Sequence, residues 1–145
     1  MSQKIEKGFL LQQAIDQSID TIVQMTEETL PKTLVSQIGD MNSQLSNFLS
    51  VTKSAPTARV VTNWVRYQTG RKGGDVAQKW RAGDLAQKVC RDIDSKIGQM
   101  AEKITRDLEI EQNEVEMMLV RQYAGYLRRT FIANTPQERK ERNKR

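Results

Sequence analysis

Histidine is absent from this 145-residue chain, and cysteine occurs once, as Cys90. The first absence removes the commonest general base and the commonest metal ligand. The second excludes an internal disulfide, a cysteine zinc site and a Cys–His nucleophile pair, and makes a reducing cytoplasm the expected location. Prolines number only 3 and aromatics make up 6% of the chain. No apolar run approaches the ~18 residues of a membrane span, so no membrane is expected as a partner. The opening residues MSQKIEKGFLLQQAI lack the apolar core and cleavage site of a signal peptide. Neither GxxxxGK(S/T) nor GxGxxG occurs, and Gly70-Arg71-Lys72-Gly73-Gly74 has the wrong spacing for either phosphate loop. Paired carboxylates are the one catalytic option left. Asp92 and Asp94, two apart, would diverge by roughly 200° on a helix, and Asp107, Glu109, Glu111, Glu114 and Glu116 read as a solvated acidic stretch. The expectation is no enzyme, no cofactor and no metal.

What the chain does have is charge, and the charge is sorted. Residues 1–52 carry 3 Lys/Arg against 6 Asp/Glu, residues 53–91 carry 9 against 2, residues 92–120 carry 3 against 8, and residues 121–145 carry 8 against 2. An overall excess of only +5 therefore hides two strongly basic segments. Basic residues concentrated in this way raise the local potential and release counterions from a phosphate backbone, so a polyanion is the natural partner. The bland reading of such runs is a solvated face. A basic block beside an acidic one also makes copies of the chain self-complementary, able to stack basic face on acidic face. Alternatively the two blocks satisfy each other inside one bundle.

Apolar residues make up 37% and charged residues 28%, and the length suits one domain with a real core. Strand-like alternation is missing and period-3.6 patterns recur, so the fold class is expected to be all-α. A bundle of about five helices is read over 1–135, with a basic tail over 136–145 that has no apolar residue beyond Pro136 to bury and is expected to be disordered. The helices are placed at about 9–28, 31–51, 57–68, 75–111 and 113–133. Pro31 and the stretch 54–57 mark boundaries. Gly70 is assigned a C-cap role. Gly83 and Asp84 mark a possible interruption, with Asp84 as a new N-cap. Leu34, Ile38, Met41, Leu45 and Phe48, spaced 4, 3, 4, 3, form a stripe that suits core packing or, less simply, a partner interface.

On the helix over 57–68, Val60, Val61, Trp64, Val65 and Gln68 share the inner side while Arg59 and Arg66 point directly away. The basic track continues through Arg71 and Lys72 on the glycine-rich loop to Lys79 and Arg81. In the last helix Val115, Leu119, Tyr123, Tyr126 and Leu127 form the apolar side, with Arg121 and Arg128 seven residues apart on the other. Each arginine pair makes a ridge about 10 Å long, commensurate with one or two nucleotide steps. Lys53 and Arg129 complete the set of candidate phosphate contacts. Arginine forks suit phosphate geometry, and backbone N–H groups of the loop would add to them. Trp80, between Lys79 and Arg81, is the leading candidate to stack a base, followed by Tyr67. Trp64, Tyr123 and Tyr126 lie on apolar faces and are expected in the core. Binding should be mainly electrostatic and tolerant of sequence.

Three segments carry a resemblance: Asn42-Ser43-Gln44-Leu45-Ser46-Asn47-Phe48-Leu49, then Asn63-Trp64-Val65-Arg66-Tyr67-Gln68-Thr69-Gly70-Arg71-Lys72, then Tyr123-Ala124-Gly125-Tyr126-Leu127. Over roughly residues 40–130 the chain resembles the small subunit of type III (Csm-type) CRISPR effector complexes. In that family a Ser-Gln helix precedes a helix ending in Tyr-x-x-x-Arg, and an aromatic-rich last helix closes the bundle. Two positions depart from the pattern. The family's basic position after Ser-Gln is Leu45-Ser46 here, and its terminal aromatic pair is Leu127-Arg128-Arg129. The resemblance implies a compact helical bundle without catalytic activity, present in several copies that contact one another end to end. It further implies partners in the other subunits of the crRNA-guided complex and in the target RNA (or DNA) strand, with the region of Arg66, Arg71 and Lys72 facing nucleic acid.

Two other functions compete with a nucleic-acid-binding structural subunit. One is a protein–protein adaptor or assembly factor, in which the stripe over 34–48 docks a partner and the arginines are merely solvated. The other is a helix-turn-helix regulator. The connection between the Trp64 and Trp80 helices is long and glycine-rich for that motif.

Overall fold

A computed structural model describes residues 2–72 and 74–137, and every regular element among them is helical. The chain is an all-α bundle, as the periodicity implies. The elements are α1 (Ser2–Thr29), α2 (Lys32–Ile38), α3 (Asn42–Ser54), α4 (Ala58–Gly70), α5 (Asp75–Arg81), α6 (Leu85–Arg91), α7 (Gly98–Leu108) and α8 (Gln112–Asn134). A π-helical segment, Asp92–Ile97, joins α6 to α7 without a break in the rod. The expected tail lies, from residue 138 onward, outside the described residues.

Most boundaries have a local cause. Pro31 stands at the N-cap of α2 with extended backbone, where its fixed φ and missing N–H cost nothing. Thr57 caps α4, its Oγ1 accepting from the Val60 amide at 3.3 Å. The helix expected over 31–51 is two helices. Gly39, at φ 85°, ends α2, and the Asp40 carboxylate accepts from the Asn42 amide at 3.0 Å to start α3. The stripe survives the break, because Leu34, Ile38, Met41, Leu45 and Phe48 are all buried. It is core, not a free docking face.

Gly70 is the last residue of α4 with no positive φ, so it does not play the left-handed C-cap role expected of it; Arg71 follows in extended conformation. Asp84 does occupy the N-cap position of α6, but in left-handed conformation (φ 58°) and without a side-chain capping bond. Gly83 before it is also left-handed (φ 55°), and a Cβ there would meet Leu34 Cδ1 at 2.5 Å. Together they swing α6 out of line with α5 through a 3₁₀ turn at 82–84.

Helix α8 is the central post, packing along α1, α3 and α7. Residues Val115, Leu119, Tyr123, Ala124, Leu127 and Phe131 form its buried side. The expected inner side of α4 is correct at Val61, Val65 and Gln68, whereas Val60 is 44% exposed. At one end of the core Phe48, Trp64 and Trp80 interlock, with Trp80 edge-on to Phe48 at 6.1 Å and to Trp64 at 5.9 Å between ring centroids.

Candidate nucleic-acid interface

Trp80 is fully buried, and its indole N–H donates to Gln44 Oε1 at 3.3 Å. It is a core residue and presents no open face for stacking a base. The rule that misplaced it was local: flanking Lys79 and Arg81 suggested an exposed helix, but Ala77 and Trp80 are the buried side of α5. Tyr67, by contrast, is 65% exposed on α4. Trp64 and Tyr126 are half-buried against the core, and Tyr123 is buried.

The basic residues sort into three groups. Arg59 and Arg66 are exposed on α4, as their spacing requires. Arg66 lines two adjoining clefts. One, of about 720 Å³, lies where α4, α5 and α6 meet and adds Arg81 and Arg91. The other, of about 430 Å³, adds Arg59 and is closed by Asn113 and Glu116 of α8. The two clefts share Arg66 and Asp94, so Arg59, Arg66, Arg81 and Arg91 follow one another along a continuous face. The side chains of Arg59, Arg81 and Arg91 make no ion pair with any described residue. Arg66 does: its guanidinium donates to Asp94 Oδ2 at 3.1 Å. This pair joins the basic and acidic blocks inside one molecule. Both partners are well exposed, where such a pair contributes only about 0.2–1 kcal/mol and yields readily to a phosphate.

The second group is spent on the fold. Arg121 Nε donates to the Thr52 carbonyl at 3.0 Å, satisfying a carbonyl in the last turn of α3, and Arg128 Nε donates to Asn42 Oδ1 at 3.0 Å. These bonds clamp α3 antiparallel to α8. Arg129 lies over the Tyr126 ring, 4.9 Å from its centroid. The third group is peripheral. Lys53 is exposed in the last turn of α3, and Lys79 is half-buried on α5. Arg71 and Lys72 are exposed on the loop, with Arg71 Nη1 donating to Gln68 Oε1 at 3.2 Å.

Sequence reasoning missed Arg91, because only the Gly83–Asp84 turn brings it alongside Arg81. It also missed Asp92, for which a signal existed. Leu85, Val89 and Asp92 are spaced 4 and 3, so this acid interrupts the apolar stripe. Asp92 is 3% exposed, and its Oδ2 accepts from Thr29 Oγ1 and Tyr123 Oη, both at 2.6 Å. Lys96 Nζ approaches its Oδ1 at 3.6 Å and Glu28 at 3.8 Å. Asp92 thereby ties α1, α8 and the π segment together. Burial first, then the Asp92 charge, pushes the Tyr123 hydroxyl well above its ordinary range. In the clefts, burial raises the Cys90 thiol against a smaller opposing effect of Arg66, and burial with Asp94 raises the Glu116 carboxyl. Two residues apart on the rod, Asp92 faces inward and Asp94 outward to Arg66.

No family model, curated protein or solved structure matches this chain. Among the described residues no helix is long and apolar enough to cross a membrane.

Proposed function

We propose that the protein is a non-catalytic, cytoplasmic structural subunit that holds a nucleic-acid backbone without reading its sequence. The observation that carries this is the run of Arg59, Arg66, Arg81 and Arg91 along two joined clefts, three of the four with no ion-pair partner among the described residues. Guanidinium groups on three different helices, three without an ion-pair partner among the described residues and the fourth in an exposed pair, are positioned to exchange solvent for phosphate oxygens. The resemblance to the Csm-type small subunit is consistent with that role. It adds a target RNA strand as the partner and several copies stacked along a ribonucleoprotein. The exposed carboxylates of Glu109, Glu111 and Glu114 supply the acidic side of such a stack.

Fluorescence anisotropy of a labelled single-stranded RNA, titrated between 50 and 200 mM salt, tests the proposal. Affinity should fall steeply across that range and differ by less than about a hundredfold among homopolymers, since neither feature needs a base contact. Affinity independent of salt would contradict it. An adaptor without a nucleic-acid role remains the alternative. The buried stripe over 34–48 is not free for it, but Ile5 and Phe9, 71% and 69% exposed and four residues apart on α1, are.

A further inference from the structure

The outer face of α4 carries more than its arginines. Tyr67 is 65% exposed, and Val60, seven residues earlier on the same side, is 44% exposed. The other two of the 3 tyrosines are engaged in the fold, Tyr123 buried in the core and Tyr126 under the Arg129 guanidinium. Tyr67 makes no ring contact with another aromatic side chain among the described residues. At 100° per residue the exposed residues of α4 run in the order Arg66, Arg59, Asn63, Tyr67 and Val60 across an arc of about 120°. The arginines form one margin of this face and the ring the other. From Lys53 to Gly74 the chain has 5 Lys/Arg and no Asp/Glu. The acids that approach the face, Asp94 on Arg66 at 3.1 Å and Glu116 across the smaller cleft, border the clefts, which Tyr67 does not line.

We propose that Tyr67 is a stacking platform for one unpaired base of the bound strand, so that the ligand of this face is a single-stranded nucleic acid and not a duplex. Arg66 and Tyr67 are consecutive and diverge by about 100°, which sets guanidinium and ring side by side. One nucleotide reaches both, its phosphate on the arginine and its base on the ring. Every base has a π face, so such a platform adds affinity without selecting a sequence. In a duplex the bases are stacked on one another and paired, and none can lie flat on a surface ring. A protein partner would need a broader apolar core than Val60 and Tyr67, which are parted by Asn63 and bordered by arginines. The inference rests on the nucleic-acid reading and deepens it, since counterion release alone does not distinguish one strand from two.

The test is fluorescence anisotropy of the full chain with three labelled ligands of equal length: a single-stranded RNA, the same strand made abasic throughout, and a duplex. Tyr67→Ala should weaken binding of the intact single strand by about five- to a hundredfold, the effect of one stacked base. Tyr67→Phe, which keeps the ring, should stay within about twofold of wild type. On the abasic strand and on the duplex, wild type and Tyr67→Ala should agree within about twofold. The dependence of affinity on salt should be the same in all three proteins, because no charge is removed. Melting temperatures should match, because the position is exposed. Unchanged single-strand binding by Tyr67→Ala, a Tyr67→Phe as weak as Tyr67→Ala, or a loss that persists on the abasic strand would each overturn the assignment. Salt-sensitive RNA binding that ignores Tyr67→Ala removes the platform and leaves the backbone reading standing. A wild-type chain that binds none of the three ligands removes both.

Discussion

Tyr123→Phe deletes one oxygen from the middle of the bundle and nothing else. That oxygen donates at 2.6 Å to Oδ2 of Asp92, a carboxylate that is 3% exposed. The ring stays, so no cavity opens. The loss is a hydrogen bond to a buried charge, worth about 1.5–3 kcal/mol. Thr29 still reaches the same oxygen and Lys96 the other, so the lower half of that range applies, about 2 kcal/mol. For a chain of this length each kcal/mol moves the melting temperature by roughly 2–4 °C, which gives a fall of about 4–8 °C at neutral pH. The pH dependence supplies an independent check. The folded Tyr123 hydroxyl is held well above its ordinary value of 10.0. A pKa raised on folding contributes stability that is complete below the unfolded value and lost as pH rises beyond it. The wild-type advantage over Tyr123→Phe should therefore be constant up to about pH 9 and shrink above about pH 10. The Cys90 thiol, also raised by burial, titrates in both proteins, so its contribution is largely common to the two curves. Urea unfolding and calorimetry at pH 7 to 10.5 measure both effects. A melting temperature within about 1 °C of wild type, with parallel pH curves, would refute the reasoning.

Gly83→Ala should cost about 2–4 kcal/mol, because it combines a left-handed backbone with a Cβ driven into Leu34, whereas Gly70→Ala, with open space and helical backbone, should be neutral or mildly stabilising in the same melting assay. Trp80→Ala should cost about 3–5 kcal/mol through the cavity left against Phe48 and Trp64, and lower the melting temperature accordingly. Asp94→Asn frees Arg66 from its internal partner and should tighten RNA binding up to about fivefold by anisotropy, with little change in melting.

Helix identity was legible because period 3.6 survives in the apolar residues, and Pro31 and the Ser54-Ala55-Pro56-Thr57 break act through local backbone rules. The split at Gly39 was not, since the stripe from Leu34 to Phe48 keeps its spacing across the turn and hides it. The π segment has no sequence signature of its own. Asp92 stands where an apolar residue belongs, beside an Asp94 that points outward, and ordinary helical spacing already accounts for that divergence. On α4 the arginine ridge could be read directly, because Arg59 and Arg66 share one helix. The cleft could not, because Arg66, Arg81 and Arg91 meet only through two consecutive left-handed residues, and no spacing rule crosses such a turn. The same limit explains Arg121 and Arg128, which lie off the apolar side of α8 but are engaged with α3.

The central claim is that arginines of α4, α5 and α6 neutralise phosphates, and counterion release measures this directly. The slope of log affinity against log salt for single-stranded RNA should drop by about 0.7 for each phosphate contact removed. Compared across wild type, Arg59→Gln, Arg66→Gln, Arg81→Gln, Arg91→Gln and the fourfold variant, the account predicts stepwise losses that reach about 2–3 in slope, with melting temperatures unchanged. An unchanged slope in the fourfold variant, with RNA still bound, would contradict it and move the nucleic-acid surface away from these clefts.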